Sequence, residues 1–283
     1  MPAIVAAPRR RAGGPAPAGE PPPWPVGFRC GPARLARPAT HDANETPRDE
    51  RSGLVRFARV QRPGGAGYAL VRDTEQGLVA QLIDGVPFGN FTETDQVAPL
   101  EQVRLLAPVI PTKVLVVGPD DAIGLPAQSD EVHHEAELAV IIGGLARHVP
   151  PDQAGAHIAG YTCANDVTAR DLQARDGQWT RAKGFDTFCP LGPWLDTDLD
   201  PTQGVRLQCR VNGDTRQDGT TADLVFGVAE LVSFCSQFAT LLPGDVLLTG
   251  TPAGVGPIAD GDRVEVDIDG LGTLANSVQA EAG

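Results

Sequence analysis

The chain has few lysines, no long apolar run and no C-x-x-C pair, and each shortage narrows what the protein can be. Without an apolar stretch of about 20 residues, no segment is expected to span a membrane. The five cysteines are odd in number and not paired by spacing, which favours free thiols in the reducing cytoplasm. We therefore expect a cytoplasmic protein.

Only two lysines occur, Lys113 and Lys183, among many arginines. A lysine ammonium is a compact charge with a tunable pKa, and an arginine guanidinium is not. Lys183 is therefore a candidate for a position that arginine cannot fill. The alternative is that it is one of two incidental lysines.

The acidic excess lies in the larger, C-terminal part of the chain. The formal net charge is −13 over 283 residues, yet residues 1–53 hold eight arginines and only five acidic residues. The negative field of the remainder disfavours nucleic acid as a partner. The length and the 41% hydrophobic content allow one large domain, or one domain with a smaller one beside it.

Three regions differ in composition. Residues 1–52 are rich in Pro, Ala and Arg and have no periodicity, which predicts a disordered arm; an upstream extension from a misplaced start codon and an organelle-targeting segment are alternatives. Residues 53–110 hold three short alternating runs separated by Gly-rich turns, which predict a small β-meander subdomain. Residues 111–283 contain the acidic residues and motifs that predict a functional site.

Three acidic residues stand out in apolar surroundings. Glu135 and Glu137 are two apart at the start of the run ELAVII, which predicts a buried strand, and residues i and i+2 of a strand face the same way. Two buried carboxylates on one face repel each other unless a positive charge lies between them. Asp166 follows the next predicted strand. Together they favour a hard cation such as Mg²⁺ or Mn²⁺, with Ca²⁺ also possible, although Glu-x-Glu alone is also typical of a half-exposed strand.

Other segments predict a β-rich α+β fold. VNGDTRQ predicts a hairpin with an Asn-Gly turn, and PLGPW predicts a turn into an edge strand. Thr220 and Asp223 resemble a capping box ahead of an amphipathic helix that extends to Leu242. The TGTPAGVG loop lacks the lysine and the spacing of a phosphate loop, but its glycines would let backbone N–H groups approach a ligand.

Five motifs in one order resemble the fumarylacetoacetate hydrolase family. They are HHEAELAVIIGG, GYTCANDVTARDLQ, WTRAKGFDTFCPLGPW, VNGDTRQ and LLPGDVLLTGTPAGVG, and the resemblance covers about residues 113–278. It implies a rolled mixed β-sheet or barrel with few helices over residues 111–283, preceded by the small β-meander subdomain. It also implies a homodimer.

The resemblance implies a set of site residues, matched motif by motif. These are Glu135, Glu137 and Asp166 as metal ligands, Lys183 as the catalytic lysine, and Arg170, Gln173 and Thr251 on the substrate side. The implied enzyme is a Mg²⁺- or Mn²⁺-dependent hydrolase that cleaves a C–C bond of a 1,3-dicarbonyl or acylpyruvate-type acid through a metal-stabilised enolate. The alternatives are a 2-hydroxyhepta-2,4-diene-1,7-dioate-type isomerase or decarboxylase of aromatic catabolism, and a non-catalytic relative that binds metal and a dicarboxylic acid.

The chain departs from the family at one place. A segment that in relatives carries a His/Glu dyad for activating water has no match, and the join falls near Leu115–Val116. Three explanations remain: a deletion that left a binding protein, a faulty gene model, or a local base that takes over. His133 is the candidate for that base, since it shares strand parity with Glu135 and Glu137.

Overall fold

The computed structural model describes residues 55–62, 65–87, 90–109 and 117–281. Their regular structure is mostly β, with three α-helices, which confirms the β-rich α+β prediction. The strands are β1 (Arg56–Arg62), β2 (Gly65–Thr74), β3 (Gly77–Gly85), β4 (Phe91–Pro99), β5 (Leu105–Leu106), β6 (Ala122–Leu125), β7 (Val132–His134), β8 (Ala136–Ile142), β9 (Ile158–Asn165), β10 (Thr168–Ala169), β11 (Leu191–Asp196), β12 (Arg206–Val211), β13 (Asp214–Thr220), β14 (Val246–Leu248), β15 (Gly256–Pro257), β16 (Arg263–Ile268) and β17 (Gly272–Ala280). The helices are α1 (Arg170–Asp176), α2 (Thr180–Lys183) and α3 (Val228–Phe238).

The largest sheet has nine strands in the order β14-β8-β9-β11-β1-β2-β3-β4, with β5 paired to β1. Strands β1 to β4 form an antiparallel meander, as the alternating runs predicted, and the predicted runs correspond to β1, β2 and β3. Gly77 opens β3 with φ 108°, a conformation that a side chain would strain. Because β11 pairs with β1, the meander continues the same sheet as the strands around the acidic residues.

The prediction that PLGPW leads into an edge strand is wrong. Strand β11 pairs with β9 on one side and with β1 on the other, so it is internal to the sheet. Proline cannot donate to a ladder, and internal strands tolerate it at bulges. The register of β11 against β9 shifts between Gly192 and Asp196, and Pro193 lies in that irregular stretch.

Two smaller sheets complete the described fold. One has the order β13-β12-β16-β17-β6, with β17 and β6 parallel, so it is a mixed sheet. The other is the short sheet β10-β7-β15. The β12–β13 hairpin turns at Asn212 and Gly213, both with positive φ, as the Asn-Gly pair predicted. The described strands form open sheets rather than a closed barrel.

Strand β8 is buried along its whole length between two apolar clusters. Leu138, Val140 and Ile142 belong to the cluster that reaches the five-stranded sheet. Ala139 and Ile141 face the opposite way, into the cluster formed with the meander. Glu137 has the parity of the second set, so it projects from a strand with no solvent-exposed face.

Helix α3 starts later than the sequence predicted. It begins at Val228 rather than near Thr220, and its N-cap is Gly227, whose N–H donates to Glu230 Oε2 at 2.8 Å. Thr220 and Asp223 do form a capping box, but that box caps the short 3₁₀ turn Thr221–Asp223. The capping pattern was therefore correct, but four residues, Leu224 to Gly227, separate the capped turn from the helix.

The apolar face predicted for this helix is only partly buried. Val228 and Val232 pack into the core, whereas Val225 and Phe238 are 88% and 72% exposed. No helix among the described residues has the length and apolar character needed to cross a membrane. The predicted arm 1–52, Lys113 and the expected join near Leu115–Val116 lie outside the described residues.

Candidate metal centre

The pairing of two neighbouring strands brings the three acidic residues together. Glu135 immediately precedes β8, Glu137 is its second residue, and Asp166 immediately follows β9. The strands are antiparallel, and Ala136 lies opposite Asn165, so the start of β8 meets the end of β9. One carboxylate oxygen from each acid lies within 4.8 Å of the others.

The main chain around the three acids is tied by hydrogen bonds. The Glu135 N–H donates to Asn165 Oδ1 at 2.9 Å, and the Asp166 N–H donates to the Glu135 carbonyl at 2.8 Å. The Gly250 N–H donates to Glu137 Oε2 at 2.7 Å. This N–H belongs to the TGTPAGVG loop, so the predicted close approach of its backbone is made to a carboxylate of the site.

Lys183, the last residue of α2, reaches into the same group. Its Nζ donates to Glu135 Oε2 at 2.8 Å, to Thr168 Oγ1 at 2.9 Å and to Asp166 Oδ2. The lysine is separated from Glu135 by 48 positions in sequence, so only the tertiary fold unites them. The ammonium thus bridges two of the three carboxylates.

Arg170, the first residue of α1, contacts Glu135 from another side. Its Nη2 donates to Glu135 Oε1, and its Nη1 donates to Gln173 Oε1 at 2.9 Å. Residues three apart on a helix are neighbours on its surface, which explains the second contact. Gln173 therefore orients the arginine, while the Thr251 hydroxyl donates to the Ala136 carbonyl at 2.8 Å.

The surroundings move the pKa values of the two glutamates in opposite directions. Burial disfavours the ionised form of Glu135, but hydrogen bonds and charge from Lys183 and then Arg170 outweigh it, so its pKa is lowered. Burial, reinforced by the charge of Asp166, raises the pKa of Glu137 to about 8, against the weaker opposing effect of the Gly250 N–H. The two glutamates differ because the cations lie beside only one of them.

Asp166 and Lys183 complete the electrostatics. Burial raises the pKa of Asp166, and the neighbouring Lys183 only partly offsets this. Burial alone would lower the pKa of Lys183, but Asp166 and Glu135 reverse the effect and raise it, so the ammonium stays charged. The positive charge of Lys183 therefore offsets only part of the cost of ionising the buried Asp166.

The donor set fits a hard divalent cation. Three carboxylates offer oxygen ligands of the kind that Mg²⁺, Mn²⁺ and Ca²⁺ prefer. Glu137 is 4% exposed, and the hydrogen bond from Gly250 is the one its carboxylate makes within the described residues. A cation would supply the charge that this buried carboxylate needs. The assignment of Glu135, Glu137 and Asp166 as ligands stays a prediction.

His133, the candidate local base, lies at the margin of the group. Its Nε2 is 3.2 Å from Glu131 Oε1, and its buried Nδ1 has no hydrogen-bond partner within the described residues. Burial, and then the charge of Arg170, lower the pKa of His133. The carboxylate of Glu131 is the partner of the His133 imidazole.

Two buried polar residues of the site were not singled out from the sequence. The Asn165 side chain accepts a hydrogen bond from the Glu135 N–H. The Gln217 side chain accepts one from the N–H of Ala136, the residue between the two glutamates. Asn165 directly precedes Asp166 within the motif ANDV, so its position offered a hint. Gln217 ends the hairpin motif VNGDTRQ, and nothing in that motif shows that its amide is buried.

The three clustered acids and the lysine that bridges two of them form a candidate metal centre on a β-rich domain. The family described as fumarylacetoacetate (FAA) hydrolase C-terminal matches residues 93–279, and the family described as Rv2993c-like, N-terminal matches residues 55–108. The chain belongs to the fumarylacetoacetate hydrolase family, as the motifs predicted.

Similar proteins with informative names include two solved structures. The chain is 45% identical to 5-carboxymethyl-2-hydroxymuconate delta-isomerase from Mycobacterium smegmatis, with a TM-score of 0.76 over 80% of this chain and 100% of that one. It is 34% identical to fumarylpyruvate hydrolase from Pseudomonas aeruginosa in complex with Mn²⁺ and pyruvate, with a TM-score of 0.57 over 63% of this chain and 78% of that one.

A curated relative carries a third activity in its name. The mitochondrial oxaloacetate tautomerase Fahd2a of Rattus norvegicus is 47% identical over 174 residues, which is 58% of this chain and 55% of that protein. Relatives named for isomerisation, hydrolysis and tautomerisation therefore share this fold or sequence, and family membership alone does not select among the three reactions.

Proposed function

We propose that the protein is a Mg²⁺- or Mn²⁺-dependent enzyme that interconverts the enol and keto forms of a small 2-oxo diacid. The observation that carries this proposal is the bridging ammonium of Lys183 beside three clustered carboxylates. The names of the isomerase and tautomerase relatives support the reaction class. The Mn²⁺ and pyruvate in the hydrolase relative support the cation and the 2-oxo acid.

The residues of this chain would divide the work. A bound divalent cation supplies Lewis-acid polarisation of the 2-oxo acid oxygens. Glu135, Glu137 and Asp166 would hold that cation through their carboxylates. Lys183 carries a fixed positive charge at the same place, where it stabilises the negative charge that develops on an enolate oxygen.

Arg170 and Gln173 would recognise the acid groups of the substrate. A guanidinium has five N–H donors, and the described contacts of Arg170 to Glu135 and Gln173 use two of them. The remaining capacity suits a substrate carboxylate, which guanidinium groups bind in a planar geometry. Gln173 keeps the plane of the guanidinium oriented, and Thr251 lies on the loop at the other side of the group.

The contacts of the carboxylate group suit the enolate that isomerisation requires. The side chains and N–H that touch the three carboxylates are Lys183, Arg170 and Gly250, and all of them donate. Donors stabilise an enolate, which is shared by isomerisation, decarboxylation and C–C cleavage. Enol–keto isomerisation must also move a proton between the enol oxygen and the neighbouring carbon, which solvent water can exchange, and hydrolysis needs in addition a base that activates a water molecule within hydrogen-bond reach.

Hydrolysis of a C–C bond in an acylpyruvate-type acid is the second candidate function. The observation that favours it is the pairing of His133 with Glu131, because a carboxylate that orients a histidine is a common arrangement for a base. In this reaction His133 would take a proton from water, and Lys183 would again stabilise the enolate that leaves.

The test is turnover of oxaloacetate, acylpyruvates and 2-hydroxymuconate-type diacids in the presence of Mn²⁺ or Mg²⁺. We expect metal-dependent enol–keto conversion without loss of carbon fragments, followed by ultraviolet absorbance and by product analysis. Glu137→Ala should abolish both the conversion and Mn²⁺ binding.

Cleavage products that disappear in His133→Gln would favour the hydrolase instead. Tight Mn²⁺ binding without turnover of any of these acids would refute the enzyme proposal and favour a non-catalytic binding protein. Absence of Mn²⁺ binding would refute the metal centre itself.

A further inference from the structure

Gln217 is a buried amide on a strand that is otherwise largely exposed. It lies in β13 of the five-stranded sheet and is 1% exposed, while most other residues of that strand face solvent. Its side chain leaves its own sheet and reaches the start of β8, between the two glutamates of the metal centre. A buried amide at this place needs partners, since an unpaired one would be costly.

The amide of Gln217 makes four hydrogen bonds. Its Oε1 accepts from the Ala136 N–H at 3.0 Å and from His134 Nδ1 at 3.0 Å. Its Nε2 donates to Thr251 Oγ1 at 2.7 Å and to the Pro252 carbonyl at 2.8 Å. Two acceptor positions and two donors are the full capacity of a primary amide.

Three of these groups close a ring around Ala136. The Ala136 N–H donates to Gln217 Oε1, Gln217 Nε2 donates to Thr251 Oγ1, and the Thr251 hydroxyl donates back to the Ala136 carbonyl at 2.8 Å. Ala136 is the residue between Glu135 and Glu137. The ring therefore holds both peptide groups of the segment that joins these two carboxylates.

The backbone fixes which way the amide points. The Ala136 N–H can only donate and the Pro252 carbonyl can only accept, so Oε1 must face β8 and Nε2 must face the loop. With Oε1 as an acceptor, the bond to His134 requires the proton on Nδ1. No other orientation satisfies all four partners.

The same amide also positions the loop that binds Glu137. Thr251 and Pro252, both bonded to Gln217 Nε2, directly follow Gly250. The Gly250 N–H is the donor to Glu137 Oε2. One side chain thus links the backbone between the two glutamates to the loop that orients one of their carboxylates.

We propose that Gln217 is a positioning residue of the metal centre, which sets the separation and orientation of Glu135 and Glu137 through Ala136, Thr251 and the Gly250 loop. This inference rests on the proposed metal site. Groups that orient metal ligands without touching the metal typically change metal affinity by about 10- to 100-fold when they are removed.

The test is direct titration of the metal-free protein with Mn²⁺ alone, by calorimetry at 25 °C. Gln217→Met keeps the length of the side chain and removes the amide, and we expect Mn²⁺ binding to weaken by about 10- to 100-fold. Gln208→Met is the matched control, because Gln208 lies on the adjacent strand β12 and its amide contacts the exposed Asp218. It should bind Mn²⁺ like the wild type.

A second pair of variants keeps the proposal testable if Gln217→Met does not fold. Thr251→Val removes the hydroxyl that closes the ring, and we expect about tenfold weaker Mn²⁺ binding, whereas Thr251→Ser retains the hydroxyl and should restore it. In the double variant Gln217→Met/Thr251→Val the two losses should not add, because both break one ring.

The outcomes separate the two proposals. Wild-type protein that binds no Mn²⁺ would overturn the proposed function together with this inference. Wild-type binding with equal affinity in Gln217→Met, Thr251→Val and the Gln208→Met control would overturn the inference and leave the proposed function standing. A lower melting temperature with unchanged Mn²⁺ affinity would likewise show that Gln217 is only structural.

Discussion

The two sides of the carboxylate group are held in different ways. On the helical side, α1 and α2 place Arg170 and Lys183 against Glu135 and Asp166. On the strand side, Glu137 projects from the fully buried β8 and receives a single backbone N–H from Gly250. On the helical side, the carboxylate charges face the full positive charges of Arg170 and Lys183. On the strand side, the carboxylate of Glu137 faces only the dipole of the Gly250 N–H group.

This difference shows where a cation would matter most. The pKa of Glu135 is lowered by its cations in spite of burial, whereas burial raises that of Glu137 to about 8. A buried carboxylate without a nearby cation is costly to ionise. The fold therefore places cations beside Glu135 and gives Glu137 only the Gly250 N–H, so a bound cation would change the energy of Glu137 most.

The largest expected effect comes from removing the charge on the helical side. Lys183→Met should lower turnover by about 10²- to 10³-fold, because the group that stabilises the enolate is lost. Mn²⁺ affinity should stay the same or increase, since a cation that repels the metal has been removed. Steady-state kinetics and Mn²⁺ titration measure the two quantities separately.

The control for this variant lies two residues away. Arg181→Met removes an exposed cation of the same helix, one that pairs with Asp176. It should leave both the turnover and the Mn²⁺ affinity unchanged. Lys183→Arg tests the need for a compact ammonium and should recover little turnover. Turnover that survives in Lys183→Met would contradict the catalytic role of the lysine.

A smaller effect is expected from the strand side, in the pH dependence of stability. Because the pKa of Glu137 is raised from 4.5 to about 8, the folded metal-free protein binds more protons than the unfolded chain between these values. The free energy of unfolding should therefore fall as pH rises through this window, by at most about 1.4 kcal/mol per pH unit from this group. Urea unfolding between pH 5 and 8 with a chelator measures the slope.

Glu137→Gln isolates the contribution of this carboxyl. The variant cannot ionise at position 137, so its stability should decline less steeply than that of the wild type, and saturating Mn²⁺ should flatten the wild-type curve. Equal slopes for the metal-free wild type and Glu137→Gln would show that Glu137 ionises with an ordinary pKa. The contrast between the two sides would then disappear.

The smallest expected effect concerns the orientation of Arg170. Gln173→Ala removes one hydrogen bond to the guanidinium, and a bond to a charged group contributes on the order of 1.5–3 kcal/mol. Because the salt bridge to Glu135 remains, we expect the low end of that range, about a tenfold rise in KM with little change in kcat. Gln153→Ala, at an exposed position of the 3₁₀ turn Pro151–His157, is the control. A fall in kcat alone would refute a role in substrate binding.

Local patterns were sufficient for much of the fold. Alternation predicted β1 to β3, the Asn-Gly pair predicted the β12–β13 turn, and apolar β-branched residues predicted β8. Each of these depends on neighbours in sequence, so the sequence contains the information. The internal position of β11 was mispredicted because its pairing with β1 joins distant parts of the chain. The start of α3 was mispredicted because the capping box at Thr220 caps a separate 3₁₀ turn and not the helix.

The candidate site likewise has features that local sequence patterns predict and features that depend on contacts between distant residues. The sequence by itself predicted, through the two-residue period of a strand, that Glu135 and Glu137 lie together, and one carboxylate oxygen of each does lie within 4.8 Å of the other. Its motifs also identified the family. Only the tertiary structure decided that Lys183 bridges Glu135 and Asp166 and that Gln217 clamps the residue between the two glutamates. Those contacts join strands and helices far apart in the chain, and hydrogen bonds of this kind exist only once the sheets have packed against each other.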